Sequence, residues 1–382
     1  MVISGLMFLG VLASFYLNKP LIRYLFYRAK LLFKSILDER EIFNLSNERH
    51  LVSVEKALNS RCTSDDDNEQ KIFHWGIFDR TRKLSDYQLS ELVDKARIPR
   101  FTKHSLEIRR ERNILTFITD YDLPDEQRQW LMVESGMLQQ AVCLLCAASN
   151  IGMVFENLGL DGSRLNSYKL AVISMKLDAM KPSYDGEYWS TNPPRGEQPW
   201  MKGNMKDPQR DGNIPLMSAI NDLKISNASE KIASEEDLSQ LLWAARGRTP
   251  HFYNSRAWGL TIPTWGGEQN ISGIYLVSRD SLSKYINWHQ DRPTHKLSEL
   301  HKIDKKLFQK SLGDFSENYG FIIFEKNENF GRALWEIGYQ LLNVLLQAKA
   351  LGIFYQAFLL DETQKSNVRM TGVNDPVAIL AV

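Results

Sequence analysis

The chain has 382 residues, enough for two ordinary domains with separate cores. At 43% apolar and 24% charged it has the composition of a folded protein, not a disordered one. A net charge of +1 supplies no field for steering nucleic acid, and three cysteines (Cys62, Cys143 and Cys146) are too few for a disulfide framework.

The first eighteen residues, MVISGLMFLGVLASFYLN, carry no charged side chain. That run is slightly short of the roughly 20 residues that cross a bilayer core. The following KPLIRYLFYRAKLLFKSIL sets Arg23, Lys30 and Lys34 near one helical face and Leu25, Leu32, Phe33 and Ile36 near another, as a basic interfacial helix does. The basic residues follow the apolar run, which is the wrong order for a cleaved signal peptide and places the globular part in the cytoplasm. A membrane anchor is therefore expected at the N-terminus; the plainer alternative is a helix buried against a partner subunit.

Beyond the anchor, LVSVEKAL (51–58) begins a helical pattern, and SDYQLSELVDKAR (85–97) is a second helix with Ser85 as N-cap. The basic run KHSLEIRRER (103–112) reads as a solvated helical face with Glu107 and Glu111 interleaved, or as a site for phosphate or an acidic peptide. RNILTFI (112–118) is a strand, 130–150 a long apolar helix and KLAVISMKL (169–177) another strand. Cys143 and Cys146 lie inside that apolar helix, where core filling is a plainer role for a CxxC than redox or zinc chemistry. Residues 180–215 hold six prolines and four glycines, the chemistry of a linker, although Trp189 and Trp200 suggest a strap packed on the surface.

The pattern then restarts. IPLMSAINDL (214–223) and SEEDLSQLLWAAR (234–246) are helices, GIYLVS (273–278) and NYGFIIFEK (318–326) strands, 332–351 a long helix and VAILAV the last strand. QAVCLLCAASNIGMVFENLGLDG (140–162) and QLLNVLLQAKALGIFYQAFLLDE (340–362) align without a gap, sharing Gln140/Gln340, Ala148/Ala348, Gly152/Gly352 and Asp161/Asp361. Two modules of α+β class are expected, each a small sheet packed by long helices. The first is shortened, with 51 residues from Leu89 to Gln140 where the second has 102 from Leu238 to Gln340. The expected organisation is an anchor and interfacial helix at 1–40, a shortened module at 45–180, a strap at 181–213 and a full module at 214–382.

Four stretches of the second module resemble the nitroreductase superfamily, and within it the SagB-type branch that includes azoline oxidases. They are LSQLLWAARG (238–247), TIPTWGGEQNISGIYLVS (261–278), KYINWHQDRPTHKL (284–297) and ALWEIGYQLLNVLLQAKALGIF (333–354). In the first module LVSVEKALNSRCTS is similar to the family's opening helix and arginine–serine turn.

The resemblance implies tandem modules forming a pseudo-dimer, flavin mononucleotide (FMN) as cofactor, and hydride transfer between flavin and a peptide heterocycle or small electrophile. It implies cofactor contacts from Pro263, Thr264, Trp265, Gly266, Gly267 and Gly352. Phosphate contacts would come from Arg61 and Thr63 of the first module and Lys224 and Ser226 of the second, with Arg246, Arg248 and Arg256 as further candidates and a solvated surface charge as the plainer role of each.

The glycines of the loop let backbone amides approach a planar ring, and Gly352 also suits a left-handed helix C-cap, a role its repetition at Gly152 favours. Lys284 and Tyr285 are candidates for proton transfer beside the flavin; a strand-edge tyrosine with a solvated lysine is the structural alternative. His289 and His295 share one surface hairpin and are not expected to bind metal.

The family's phosphate-gripping arginines are missing from NDLKISNASEK, and Leu260 stands where the family loop often has arginine. A non-catalytic binding or scaffold subunit that keeps the fold is therefore the alternative reading. Expected partners are a small-molecule or peptide substrate, the membrane through the N-terminus, and a homodimer or membrane complex, with no nucleic acid.

Overall fold

The computed structural model describes residues 52–59, 64–65, 73–75, 84–119, 122–149, 151–156, 172–179, 200–253, 256–264, 271–290, 292–313, 320–327 and 331–382. The expected N-terminal anchor and interfacial helix lie outside the described residues.

The first half opens with helix α1 (Val54–Asn59), strands β1 (Ser64–Asp65) and β2 (Phe73–Trp75), and helix α2 (Asp86–Lys95). α2 starts where the sequence places it, because Ser85 and Gln88 form a reciprocal capping box. A tight hairpin of β3 (Leu106–Glu111) and β4 (Ile114–Thr119) follows, then the long helix α3 (Asp125–Ala148), β5 (Ile151–Glu156) and β6 (Val172–Ala179). The expected helical face at 103–112 is instead an edge strand. Leu106 and Ile108 alternate with exposed Glu107 and Arg109, and Arg112 turns the chain with φ of 53°. Charge content cannot separate an exposed strand from an exposed helix; the two-residue period can.

The second half contains α4 (Leu216–Asn221), β7 (Ser226–Asn227), α5 (Glu235–Arg246), β8 (Arg248–Tyr253), β9 (Arg256–Leu260) and β10 (Ser272–Ser278). It continues through β11 (Ser281–His289), β12 (Arg292–Lys302), α6 (Lys305–Leu312), β13 (Phe321–Lys326), α7 (Gly331–Leu351), β14 (Tyr355–Leu359), α8 (Glu362–Arg369) and β15 (Pro376–Ala381). Ser234 caps α5 in a second capping box with Asp237.

Both halves build antiparallel sheets by one plan. The first has the order β3-β4-β6-β5-β2-β1 and the second β12-β11-β10-β13-β15-β14-β7. β3-β4-β6-β5-β2 therefore corresponds to β10-β13-β15-β14-β7. The extra length of the second half has two places: the β8–β9 hairpin after α5, and β11, β12 and α6 between β10 and β13, where the first half has only the turn at Arg112–Asn113. The chain is thus an α+β fold with a repeated plan.

One face of the second sheet buries Ile274, Leu276, Tyr285, Ile322, Phe324 and Leu380 in the large core shared by α3, α5 and α7. Its other face packs Val277, Phe321, Ile323 and Ile379 under α6 and α8, against Phe308 and Val368. α3 is long and apolar enough to cross a membrane, but 94% of its apolar window is buried within the protein, as a core helix requires. Cys143 and Cys146 are buried on it.

The two halves meet through reciprocal contacts. A Cβ on Gly136 of α3 would overlap the carbonyl oxygen of Trp335, three residues before Gly338. A Cβ on Gly338 of α7 would overlap the carbonyl oxygen of Val133, three residues before Gly136. Only glycine permits this approach of two backbones. The starts of α1 and α4 exchange backbone bonds in the same reciprocal way: Val54 N–H donates to Ile214 O at 3.0 Å and Leu216 N–H to Val52 O at 2.8 Å. Each pair exchanges equivalent positions, as a two-fold relation demands.

These contacts revise the register of the repeat. Glu134-Ser135-Gly136 matches Glu336-Ile337-Gly338, an offset of 202 where the gap-free alignment has 200. Gly152 consequently lies inside β5, opposite Asp178, and caps no helix. Gly352 does: its φ is +66°, and Ile353 N–H reaches back to Ala348 O, closing a Schellman-type end.

The described part of the strap, 200–213, is fastened along its length. Met201 N–H donates to Pro293 O, Asn204 Nδ2 to Leu297 O, and Gln240 Nε2 to Gln209 O. Ser53 Oγ donates to Asp211.

Candidate functional site

In their N-terminal halves α3 and α7 each bury a carboxylate, and each carboxylate pins a loop of its own half. Glu134 is fully buried and accepts from Arg100 Nε at 2.9 Å, Thr102 N–H at 2.7 Å, Thr102 Oγ1 at 2.7 Å and the Phe101 amide. Glu336, equally buried, accepts from Arg246 Nη1 at 2.7 Å, Ser272 Oγ at 3.0 Å and Thr264 Oγ1 at 3.1 Å. The dipeptide Ile98-Pro99 precedes the first set and Ile262-Pro263 leads into Thr264 of the second. These repeated Ile-Pro and Glu-x-Gly pieces were readable signals that a gap-free comparison misses.

Around Glu336 the second half gathers parts of all four family-like stretches. Arg246 comes from the end of α5, Thr264 and Ser272 flank the loop, and Gln340 Nε2 donates to Ser272 Oγ at 2.8 Å. From the β11–β12 hairpin, Asn287 Nδ2 donates to the Arg246 carbonyl at 2.7 Å. Pro263 and Thr264 are buried at the foot of this cluster. Trp265, Gly266 and Gly267 continue from there and lie outside the described residues, as do Arg61 and Thr63.

The remaining expected contacts are elsewhere. Lys224 and Ser226 are exposed beside β14, and Gly352 ends α7. Gly352 is sixteen residues beyond Glu336, about 24 Å along the helix at 1.5 Å per residue. Lys224 and Lys349 instead place positive charge near the C-terminus of α7, where the helix dipole favours cations. Within the second half, then, Lys224, Ser226 and Gly352 do not share a site with Pro263 and Thr264. Linear motifs named them together; the length of α7 holds them apart.

Lys284 and Tyr285 also separate. They are consecutive on β11 and leave opposite faces of the sheet. Lys284 Nζ lies 5.4 Å from the ring centre of Tyr275, whose hydroxyl donates to Glu325 on the α6/α8 side. Tyr285 faces the main core and donates to His295 Nδ1 at 2.8 Å. His295 is not on the surface of the hairpin but fully buried, with Nε2 2.8 Å from Ser239 Oγ, which in turn donates to the Lys206 carbonyl.

Burial pushes the Tyr285 phenol well up and the His295 imidazole down to about 4. A neutral imidazole and a protonated phenol satisfy the chain in one direction: Tyr285 O–H to Nδ1, Nε2–H to Ser239, Ser239 O–H to a backbone carbonyl. This chain ends in a carbonyl that cannot release a proton, so it fastens hairpin, helix and strap together and does not form a transfer pair with Lys284. Period-two alternation alone was enough to predict that separation.

No family model matches the chain and no curated protein matches it. A solved structure of a protein assigned as a nitroreductase, from Ralstonia eutropha JMP134, aligns at 18% identity with a TM-score of 0.34, over 46% of this chain and 85% of that one. A likeness of that degree decides nothing about chemistry, which has to be read from this chain's own residues.

Proposed function

We propose that the chain is an FMN-dependent oxidoreductase of nitroreductase type, in which two modules form a pseudo-dimer with a single site at Pro263–Gly267. The observation that carries this reading is the convergence of the four family-like stretches on Glu336 and Gln340 of α7, next to the α3–α7 crossing. The exchange of Gly136 and Gly338 across that crossing supports the pseudo-dimer, because a homodimer's dyad would make the same exchange between identical chains.

The residues fit a flavin in kind. Gln340 Oε1 is buried without a hydrogen-bond donor, and a flavin ring edge presents an N–H that needs such an acceptor. When bound, FMN supplies hydride transfer at its ring N5. The chain's own part is to hold the loop. Glu336 anchors Thr264 against Arg246, the buried Pro263 fixes the loop's entry, and the adjoining module excludes water from that side.

The first module keeps the counterpart scaffold but not the opening. Glu134 takes the amides of Phe101 and Thr102, so the donors that a ring would use there are already spent. One site, not two, follows. The same filling, with Lys224 and Ser226 remote from the loop, favours as second reading a binding or scaffold subunit that has lost its cofactor.

Flavin absorbance near roughly 450 nm after addition of FMN separates the two. Gly266→Val should abolish flavin retention with little change in thermal unfolding, since a loop tip contributes little core. Unchanged flavin content in that variant would place the cofactor elsewhere. We further propose that residues 1–40 hold the protein to a membrane with the modules in the cytoplasm, and that the substrate is a peptide heterocycle or a small electrophile. Deleting residues 1–37 should release folded protein into the soluble fraction; full-length protein that is soluble and monodisperse without detergent would refute the anchor.

A further inference from the structure

The turn Arg246-Gly247-Arg248 between α5 and β8 carries two guanidinium groups, and among the described residues only Arg246 has a counterion. Arg246 is buried against Glu336 at 2.7 Å. Arg248 is half-buried, and among the described residues it has no carboxylate partner. Its guanidinium carbon lies 4.5 Å from the ring centre of Trp288, near the tip of the β11–β12 hairpin, and its buried Nε has no acceptor. Among the described residues nothing else charged faces it favourably. Arg246 repels it, and Tyr285 beside it is a neutral phenol committed to His295. Burial first, and Arg246 second, lower its pKa to about 9, so it remains a cation at neutral pH.

A second arginine–tryptophan stack shows what a settled pair looks like here. Arg210 lies 5.4 Å over Trp200, but Asp207 is beside it and accepts from the indole N–H of Trp200. Arg248 has the stack without the acid. A desolvated cation held over an indole, with an unused donor, is arranged to receive a planar or tetrahedral oxyanion.

We propose that Arg248, held by Trp288, binds the oxyanion group of a small ligand that occupies the second module beside the Thr264–Glu336 cluster. Phosphate and carboxylate share the required chemistry, and two sources are possible: the phosphate of FMN, or an anionic group on the substrate. The anion site stands on its own geometry; it rests on the proposed function only in counting FMN as one source. It would also place the phosphate charge on β8, where no arginine motif announces it.

The test is calorimetric titration of the full-length protein and of Arg248→Gln with four probes: FMN, riboflavin, inorganic phosphate and benzoate. Riboflavin carries the same ring as FMN without the phosphate. If FMN is the source, Arg248→Gln weakens FMN by about 10- to 100-fold, the range of one charge-assisted hydrogen bond, and leaves riboflavin unchanged. If the substrate is the source, both flavins bind equally to the two proteins while phosphate or benzoate is weakened by that factor. Loss of an anion probe in the variant, with no flavin bound by either protein, keeps the site and removes the oxidoreductase reading. The proposal is overturned if no probe distinguishes the variant from the parent. A structural arginine makes a different signature: Arg248→Gln then lowers the thermal midpoint of the ligand-free protein and changes no titration. Loss of an unpaired cation should instead leave that midpoint unchanged or raise it.

Discussion

Gly338→Ala sets two effects of opposite sign against each other. On an exposed helix the change gains about 1 kcal/mol of helix propensity. Here the new Cβ would overlap the Val133 carbonyl oxygen and lie 2.8 Å from Met137 N and 2.9 Å from Gly136 Cα. All three atoms are backbone of α3, so no side chain can swing aside, and the helices must part by something near 1 Å. Overpacking of this kind costs about 1–3 kcal/mol or more, and a gap of that width forfeits a quarter to a half of the dispersion energy along the seam. The steric side wins, and we expect a net loss of about 2–4 kcal/mol, a fall of several degrees in the unfolding midpoint. Gly136→Ala, which meets Trp335 Cα at 2.7 Å, should behave alike. Once one alanine has parted the helices the second costs less, so the double variant should lose about 1–2 kcal/mol less than the sum. Thermal and urea unfolding followed by circular dichroism measure all three. Stabilisation by about 1 kcal/mol, or strict additivity, would refute the tight crossing and with it the reciprocal packing of the two halves.

Glu336→Gln should cost about 3–5 kcal/mol, because it leaves the Arg246 cation buried beside a neutral amide, whereas Glu336→Met with Arg246→Met should recover much of that loss in urea unfolding. His295 is neutral when folded, with its pKa lowered to about 4 against about 6.5 unfolded, and it faces Ser239, Tyr285, Asp207 and Arg210. The unfolded chain therefore binds the proton more readily. This contribution is complete above about pH 6.5 and declines as the pH falls toward 4, by up to about 3 kcal/mol. Unfolding free energies of the parent and His295→Asn should converge over that window, and parallel curves would show that His295 does not titrate with folding. Fragments 51–180 and 214–382 should be poorly soluble alone and associate when co-expressed, since each exposes an apolar long helix; gel filtration showing two soluble monomers would sink the pseudo-dimer.

Local patterns were legible in the chain before any tertiary structure. Ser85 with Gln88 and Ser234 with Asp237 announce helix starts, because a cap and its N3 partner are three residues apart and need nothing distant. The alternation and apolar runs of 273–278, 321–326 and 376–381 mark strands that the core then buries. That two halves repeat was also readable, as was the missing length of the first. Which parts of the repeat correspond is marked along the chain only by the short Ile-Pro and Glu-x-Gly pieces, and three dimensions decided between them and the longer gap-free match. Sequence identity rewards Gly152 against Gly352, while the helix crossing requires Gly136 against Gly338, because a Cβ clash depends on the distance between two backbones and leaves no trace in spacing. The same holds for charge. Nothing in Arg-Gly-Arg distinguishes Arg246 from Arg248. The partner of Arg246 is Glu336, ninety residues on, and only packing of α5 against α7 brings the pair together while leaving Arg248 on Trp288 with no acid among the described residues. Local structure follows from neighbours along the chain; a site depends on which distant groups the core places within reach, and that was decided by the fold.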